Sequence, residues 1–216
     1  MGRTDCRVSV KRLMPIFSNI SAIGDSHVGA FSPYCRLCTL GPVTMYSLTT
    51  DKLNEYIVYL LERKEIDING WWIFCTGEID IRCLLHKQIN EYGRKEDETI
   101  ETLVENYISN LYKLNHTKLA ISTTVPPAKT EGFEVQQKHT INSDYPFKGS
   151  DSERNRWSQK LNHYLINKCI EKNITYIDIY SLFKNNEGFL DHQYIDADMI
   201  HVSKNDKIVT LLNNLY

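Results

Sequence analysis

Apolar and polar positions follow two periods along this chain. Short apolar runs at Ile20–Gly24, Trp71–Cys75, Leu119–Val125 and Ile174–Ile179 predict strands. Between Asp51 and Lys64, Leu53, Tyr56, Ile57, Leu60 and Leu61 recur every three or four residues and share a helical face. Ile100, Leu103, Val104, Tyr107, Ile108 and Leu111 do the same between Lys95 and Leu114, behind an acidic start of Glu96, Asp97 and Glu98 that suits a helix N-terminus. Trp157, Leu161, Leu165 and Cys169 mark a third helix, and Asp206 to Tyr216 a closing one. Strand and helix therefore alternate along the chain, which predicts an α/β protein. Its crossovers build a mainly parallel sheet covered by helices on both faces, a three-layer α/β/α sandwich with any site at the carboxyl ends of the strands.

One stretch breaks the pattern. Pro126 to Asp151 is rich in Pro, Gly, Lys, Gln and Asn and holds no sustained period. A loop this long inside a compact domain is usually functional or disordered, and we read 126–151 as a substrate-facing insertion, with a plain surface excursion as the alternative. No linker divides the rest, so the 216 residues are expected to form a single domain, 1–216.

Composition narrows the function classes. The chain is 42% hydrophobic and 24% charged, an ordinary globular balance. Its 25 basic and 27 acidic residues are interspersed, with a formal net charge of -2 and no basic block of the kind that tracks a phosphate backbone. Nucleic acid is therefore not expected as a partner. No apolar run approaches the ~18 residues of a membrane span, and Lys11 and Arg12 interrupt any signal core, so we expect a cytoplasmic protein without a membrane partner. Cys6, Cys35, Cys38, Cys75, Cys83 and Cys169 are expected as reduced thiols in that compartment. Cys35 and Cys38 have CxxC spacing, but no second pair completes a tetrahedral zinc site, and no metal is expected.

Two segments carry candidate chemistry. Gly24-Asp25-Ser26-His27 stands where the first strand turns into a helix, which would put a serine hydroxyl at the open end of the sheet and its N–H at a helix N-terminus. Asp198 and His201 lie three apart near the C-terminus, so one turn can bring the carboxylate to one imidazole nitrogen and leave the other for the serine. Each motif alone is a common turn or cap. Together, at opposite ends of an α/β chain and in the order Ser, Asp, His, they form a specific signal.

On these residues the chain resembles the SGNH or GDSL hydrolases, whose first block carries Gly-Asp-Ser and whose last carries Asp-x-x-His. The resemblance implies Ser26 as nucleophile, His201 as general base and Asp198 as the residue that orients it. It also implies a backbone oxyanion hole, assigned to the N–H groups of Ser26 and Gly77, the latter in Thr76-Gly77-Glu78-Ile79-Asp80-Ile81-Arg82. The family's third block, Gly-x-Asn-Asp, is missing: the strand from Leu119 to Val125 runs into Pro126-Pro127. Arg82 is a candidate substitute donor, against a plain salt bridge to Glu78 or Asp80. Asp25, His27, Glu78 and Arg82 together are candidate substrate or oxyanion contacts. The Gly-Glu-Ile-Asp-x-Arg variant resembles SGNH proteins of surface-polysaccharide and amino-sugar modification, and the whole resembles the SGNH-type sugar N-acetyltransferase domain of giant viruses.

The resemblance implies acyl transfer through an acyl-serine and leaves the acceptor open. With no export signal, we expect acetyl transfer from acetyl-CoA, as co-substrate, to a sugar, at the amino group of a nucleotide-linked amino sugar. A carbohydrate esterase or deacetylase is the alternative. A non-catalytic carbohydrate-binding domain is a second alternative, with Trp71, Trp72 and Tyr145 as stacking residues.

Overall fold

The computed structural model describes residues 16–131, 144–196 and 200–216. Five strands form one sheet: β1 (Phe17–Gly24), β2 (Cys35–Thr39), β3 (Trp71–Cys75), β4 (Leu119–Ser122) and β5 (Thr175–Ile177). They lie in the order β2-β1-β3-β4-β5, and every neighbouring pair is parallel. The main helices are α1 (Thr50–Glu62), α2 (Glu96–Tyr112) and α3 (Asp151–Glu171), followed by the short α4 (Ile179–Phe183) and α5 (Lys207–Asn213).

Side chains alternate across the sheet and feed two cores. Ile23, Trp72, Phe74, Leu119 and Ile121 face α1, α2 and α3, where they meet Leu53, Ile57, Val104, Ile108, Trp157 and Leu161. Ile20, Ala22, Ile73, Cys75 and Ala120 face the other way, onto Phe31, Ile179, Phe183, Ile208 and Leu212. A sheet buried on both sides explains why these strands read as continuous apolar runs rather than as alternations. The fold is thus the α/β sandwich with a parallel sheet that the apolar pattern predicts.

Chain order places the site. From β1 the chain moves to the β2 edge, then returns across β1 to β3, so the winding direction reverses between β1 and β3. The carboxyl ends of that pair are where an open α/β sheet leaves a crevice. Packing between the two strands is tight at its top: a Cβ on Gly24 would lie 1.8 Å from the Cys75 carbonyl oxygen, so only glycine fits there.

Two elements differ from expectation. Cys35–Thr39 is an edge strand, and its Cys35 and Cys38 thiols are free and buried, with burial pushing them up to about 12 and about 11. Between β3 and α2, Asp80–Leu84 and Lys87–Glu91 wind as π-helical turns. Such turns shift the apolar positions off both standard periods.

Candidate active site

Ser26 follows β1 directly. Its Oγ lies 2.7 Å from Nε2 of His201, across 175 positions of sequence. In the neutral tautomer with its proton on Nδ1, His201 accepts the serine proton at that distance. Ser26 is exposed and His201 half-buried, so the pair opens to solvent. His201 is carried on a return of the chain: Ile195 and Val202 form an antiparallel bridge, and the Asp196 N–H donates to the His201 carbonyl at 2.9 Å. Asp198, expected to orient His201, lies outside the described residues.

The element after β1 is a six-residue 3-10 turn, Ser26–Phe31, rather than a helix. A turn this short carries little aligned dipole, so stabilisation of an oxyanion must come from individual N–H groups. Strand register shows which ones stand near. Thr39, Gly24 and Cys75 form one row across β2, β1 and β3. Gly41, Ser26 and Gly77 each follow that row by two residues. Both glycines have positive φ, +84° at Gly41 and +112° at Gly77. A Cβ on Gly77 would sit 2.6 Å from Met45 Cε and 2.7 Å from Thr124 Cγ2, so a side chain there is strained and crowded. Gly77→Ala should cost about 2 kcal/mol, read as a lower urea midpoint with an unchanged slope.

Because β2 precedes it, the strand that leads to Gly77 is the third in the chain. Beyond β4, the Thr124 N–H donates to Asn162 Oδ1 at 2.8 Å, and the Thr124 hydroxyl is bonded to the same amide. Asn162 is buried on α3, and it fixes the turn that packs on Gly77. Only a polar residue beside the apolar stripe of α3 signals it in sequence.

Three of the four candidate substrate contacts turn inward instead. Asp25 is fully buried, and its Oδ1 accepts from the His27 N–H at 2.8 Å and lies 3.1 Å from His27 Nδ1. His27 Nε2 faces Glu78 Oε2 at 3.9 Å, and Glu78 in turn holds Arg82 Nε at 3.0 Å. His27 and Glu78 are also buried, so these side chains form a charge chain under the site rather than a wall of it. Burial lowers the His27 pKa, but the Asp25 and Glu78 carboxylates outweigh it and the net direction is up. The His27 ring lies against His201, with centroids 4.6 Å apart.

Arg82 is the half-buried end of this chain. Besides Glu78 it donates to the Tyr145 carbonyl at 2.9 Å and lies 5.5 Å from the Phe147 ring. It pairs with Glu78, not Asp80, and an ion pair with a backbone contact leaves it poorly placed as an oxyanion donor. Through it the site meets the 126–151 insertion, of which residues 132–143 lie outside the described residues. The described shoulders are pinned by α3: Asp151 accepts from the Thr130 and Glu131 N–H groups, and Arg154 pairs with Asp151 and donates to the Gly149 carbonyl.

Asp80 is buried behind the Gly77 turn and accepts the Met45 N–H at 2.8 Å. Burial pushes its carboxyl up to about 7, against the backbone N–H groups of Met45 and Tyr46 that favour the ionised form. The native state then keeps a proton that the unfolded chain loses near pH ~4, so ionisation erodes stability as pH rises between those values. Asp80→Asn keeps an acceptor for Met45 and removes the ionisation. Its stability relative to wild type should be higher at pH 8 than at pH 5 in urea titrations.

Trp71 and Trp72 begin β3, at the amino end of the sheet and away from Ser26. Trp72 is buried, donates to the Asp67 carbonyl and stacks on His116 at 3.7 Å, so it serves packing. Among the described residues no cluster of three or more His, Cys, Asp or Glu side chains could hold a metal ion, and no helix is long and apolar enough to cross a membrane.

No protein-family model matches the sequence, and no curated protein matches it. Solved structures do match in shape. A lipase/acylhydrolase from Enterococcus faecalis is 15% identical, with 91% of each chain covered and a TM-score of 0.50. A GDSL-like lipase from Bacteroides thetaiotaomicron VPI-5482 is 16% identical over 91% of this chain and 84% of that one, with a TM-score of 0.50. A protein from Desulfitobacterium hafniense DCB-2, described as lipolytic and of the G-D-S-L family, is 12% identical over 91% and 98%, with a TM-score of 0.53. With its all-parallel five-stranded sheet between helices, this chain has the fold of the GDSL, or SGNH, hydrolases.

Proposed function

We propose that this protein is a serine-dependent acyl-transfer enzyme that moves an acetyl group from acetyl-CoA to the amino group of a sugar. The observation that carries the acyl-transfer reading is the 2.7 Å contact between Ser26 Oγ and His201 Nε2 at the mouth of the sheet. His201 takes the serine proton as Oγ attacks the thioester carbonyl. The N–H groups of Ser26 and Gly77 are the proposed oxyanion donors. Collapse of the tetrahedral intermediate breaks the C–S bond, and His201 returns the proton to the leaving thiolate. A sugar amine then attacks the acetyl-serine, His201 accepts the amine proton, and Ser26 is regenerated as an alcohol.

The acceptor is the finer part of the proposal. An amine outcompetes water only if it is held and water is kept out, a role we assign to the insertion anchored at Arg82, Asp151 and Arg154. A specific observation favours a second reading, ester hydrolysis by the same acyl-enzyme: Ser26 is exposed, and the similar folds carry the names lipase and acylhydrolase. Incubation with acetyl-CoA and a panel of amino sugars separates the two. Thiol release should rise with one acceptor over the rate in buffer, and an acetylated peptide containing Ser26 should be found by mass spectrometry. Thiol release indifferent to acceptor, together with cleavage of simple acetyl esters, would establish the hydrolase instead.

A further inference from the structure

A recess adjoins the Gly77 turn through Met45. It is a groove of about 1250 Å³ between the loop after β2, the π-helical turns after β3 and the amino-terminal half of α2. Met45 links the two places: its methyl group packs where a Gly77 side chain would be, and the residue also lines the groove.

The lining has a distinct chemistry. Lys52, Lys87 and Arg94 all border the groove. Among the described residues none of the three has a carboxylate within ion-pair distance, whereas the neighbouring Lys95 is paired with Glu98 at 2.6 Å. Tyr46 and Tyr92 stand on its edge with 77% and 57% of their surface exposed, and Lys87 lies 5.7 Å from the Tyr92 ring centre. Deeper in, two buried acceptors have no hydrogen-bond partner among the described residues, Oδ1 of Asp80 and Oε1 of Gln88. Asp80 is 1% exposed, and a buried oxygen left unbonded is destabilising. A ligand that offers donors to those two oxygens, negative charge to the three cations and a flat ring to the tyrosines would satisfy every one of these groups.

We propose that this groove binds a nucleoside diphosphate moiety, with the base against Tyr46 or Tyr92, the diphosphate at Lys52, Lys87 and Arg94, and hydroxyl groups on Asp80 and Gln88. Arginine and lysine are the usual partners of phosphate oxygens, and aromatic faces of bases. The proposal rests on the acyl-transfer reading only for its biological use, since both acetyl-CoA and a nucleotide-linked sugar carry this moiety far from the reacting atoms. A ligand anchored here and passing over Met45 would present its other end at Ser26.

Binding can be tested apart from turnover with the full chain carrying Ser26→Ala. Calorimetric titrations with UDP, ADP, coenzyme A, a UDP-linked amino sugar and free glucosamine distinguish the sources. The nucleoside diphosphates should bind and glucosamine alone should not. A preference for coenzyme A identifies a donor site, and a preference for the UDP-sugar identifies an acceptor site. Adding Lys87→Ala and Arg94→Ala should weaken binding tenfold or more and flatten its salt dependence. Both side chains are exposed, so an unchanged melting temperature verifies the fold of that variant. Failure of every diphosphate to bind at millimolar concentration overturns the proposal, as does binding that the double substitution leaves intact. If the diphosphates bind while the wild-type protein transfers no acetyl group, the groove stands and the acyl-transfer reading falls.

Discussion

Ser26→Ala should lower turnover of 4-nitrophenyl acetate by about a thousandfold or more, leaving only what backbone donors and substrate positioning contribute. His201→Ala should do nearly as much. The contact of 2.7 Å makes the two groups one device, in which the serine is a poor nucleophile without the base and the base has nothing to deprotonate without the serine. The double variant should therefore be no slower than the worse single one, and the logarithms of the losses should not add. Independent contributions, each multiplying the other, would mean that the two side chains do not act together. A stacking or binding module would show none of this, since loss of one hydroxyl leaves its ligand contacts in place.

The sequence carries the layers of this fold more openly than its edges. α1, α2 and β3 are legible because each commits its apolar residues to a single period, and their observed limits fall within a few residues of those the pattern predicts. β2 is not legible. It lies at the sheet edge, where Arg36, Leu37 and Thr39 are not buried, so no apolar run marks it. That unmarked strand puts Gly77 after the third strand of the chain, where the apolar runs alone count two. The serine and histidine are legible for a different reason: their chemistry needs both residue types, and α/β winding brings the first strand and the last return of the chain to the same rim. What a linear motif cannot convey is direction. Gly-Asp-Ser-His and Gly-Glu-Ile-Asp-x-Arg read as a polar mouth, yet Asp25, His27 and Glu78 point beneath the rim, where each is buried against the next.

That buried chain makes the second large prediction, for His27. His27→Gln removes the one group that faces both Asp25 and Glu78, while Arg82 reaches only the latter. Two carboxylates would then lie in a dry environment with a single guanidinium, held by Glu78 alone, and stripping one partner from a buried charge set typically costs about 3–5 kcal/mol. The size of the loss should depend on pH with a definite sign. The folded-state pKa of His27 is raised, so the imidazolium contributes its full stabilisation below the ordinary histidine value, and that contribution disappears as pH climbs through the raised one. Urea midpoints of wild type and variant should therefore differ most near pH 6 and draw together toward pH 9. A gap independent of pH would show that His27 is held as a neutral ring and contributes only packing. Turnover offers a separate check, because the His27 ring lies against His201 at 4.6 Å and helps fix the plane of the base. At a pH where the variant is folded, kcat should fall about tenfold with KM little changed, as expected when a positioning residue is lost and substrate contacts are not. His27→Phe would retain a ring against His201 without the charge, so it should recover part of kcat while remaining as unstable as the glutamine variant near pH 6.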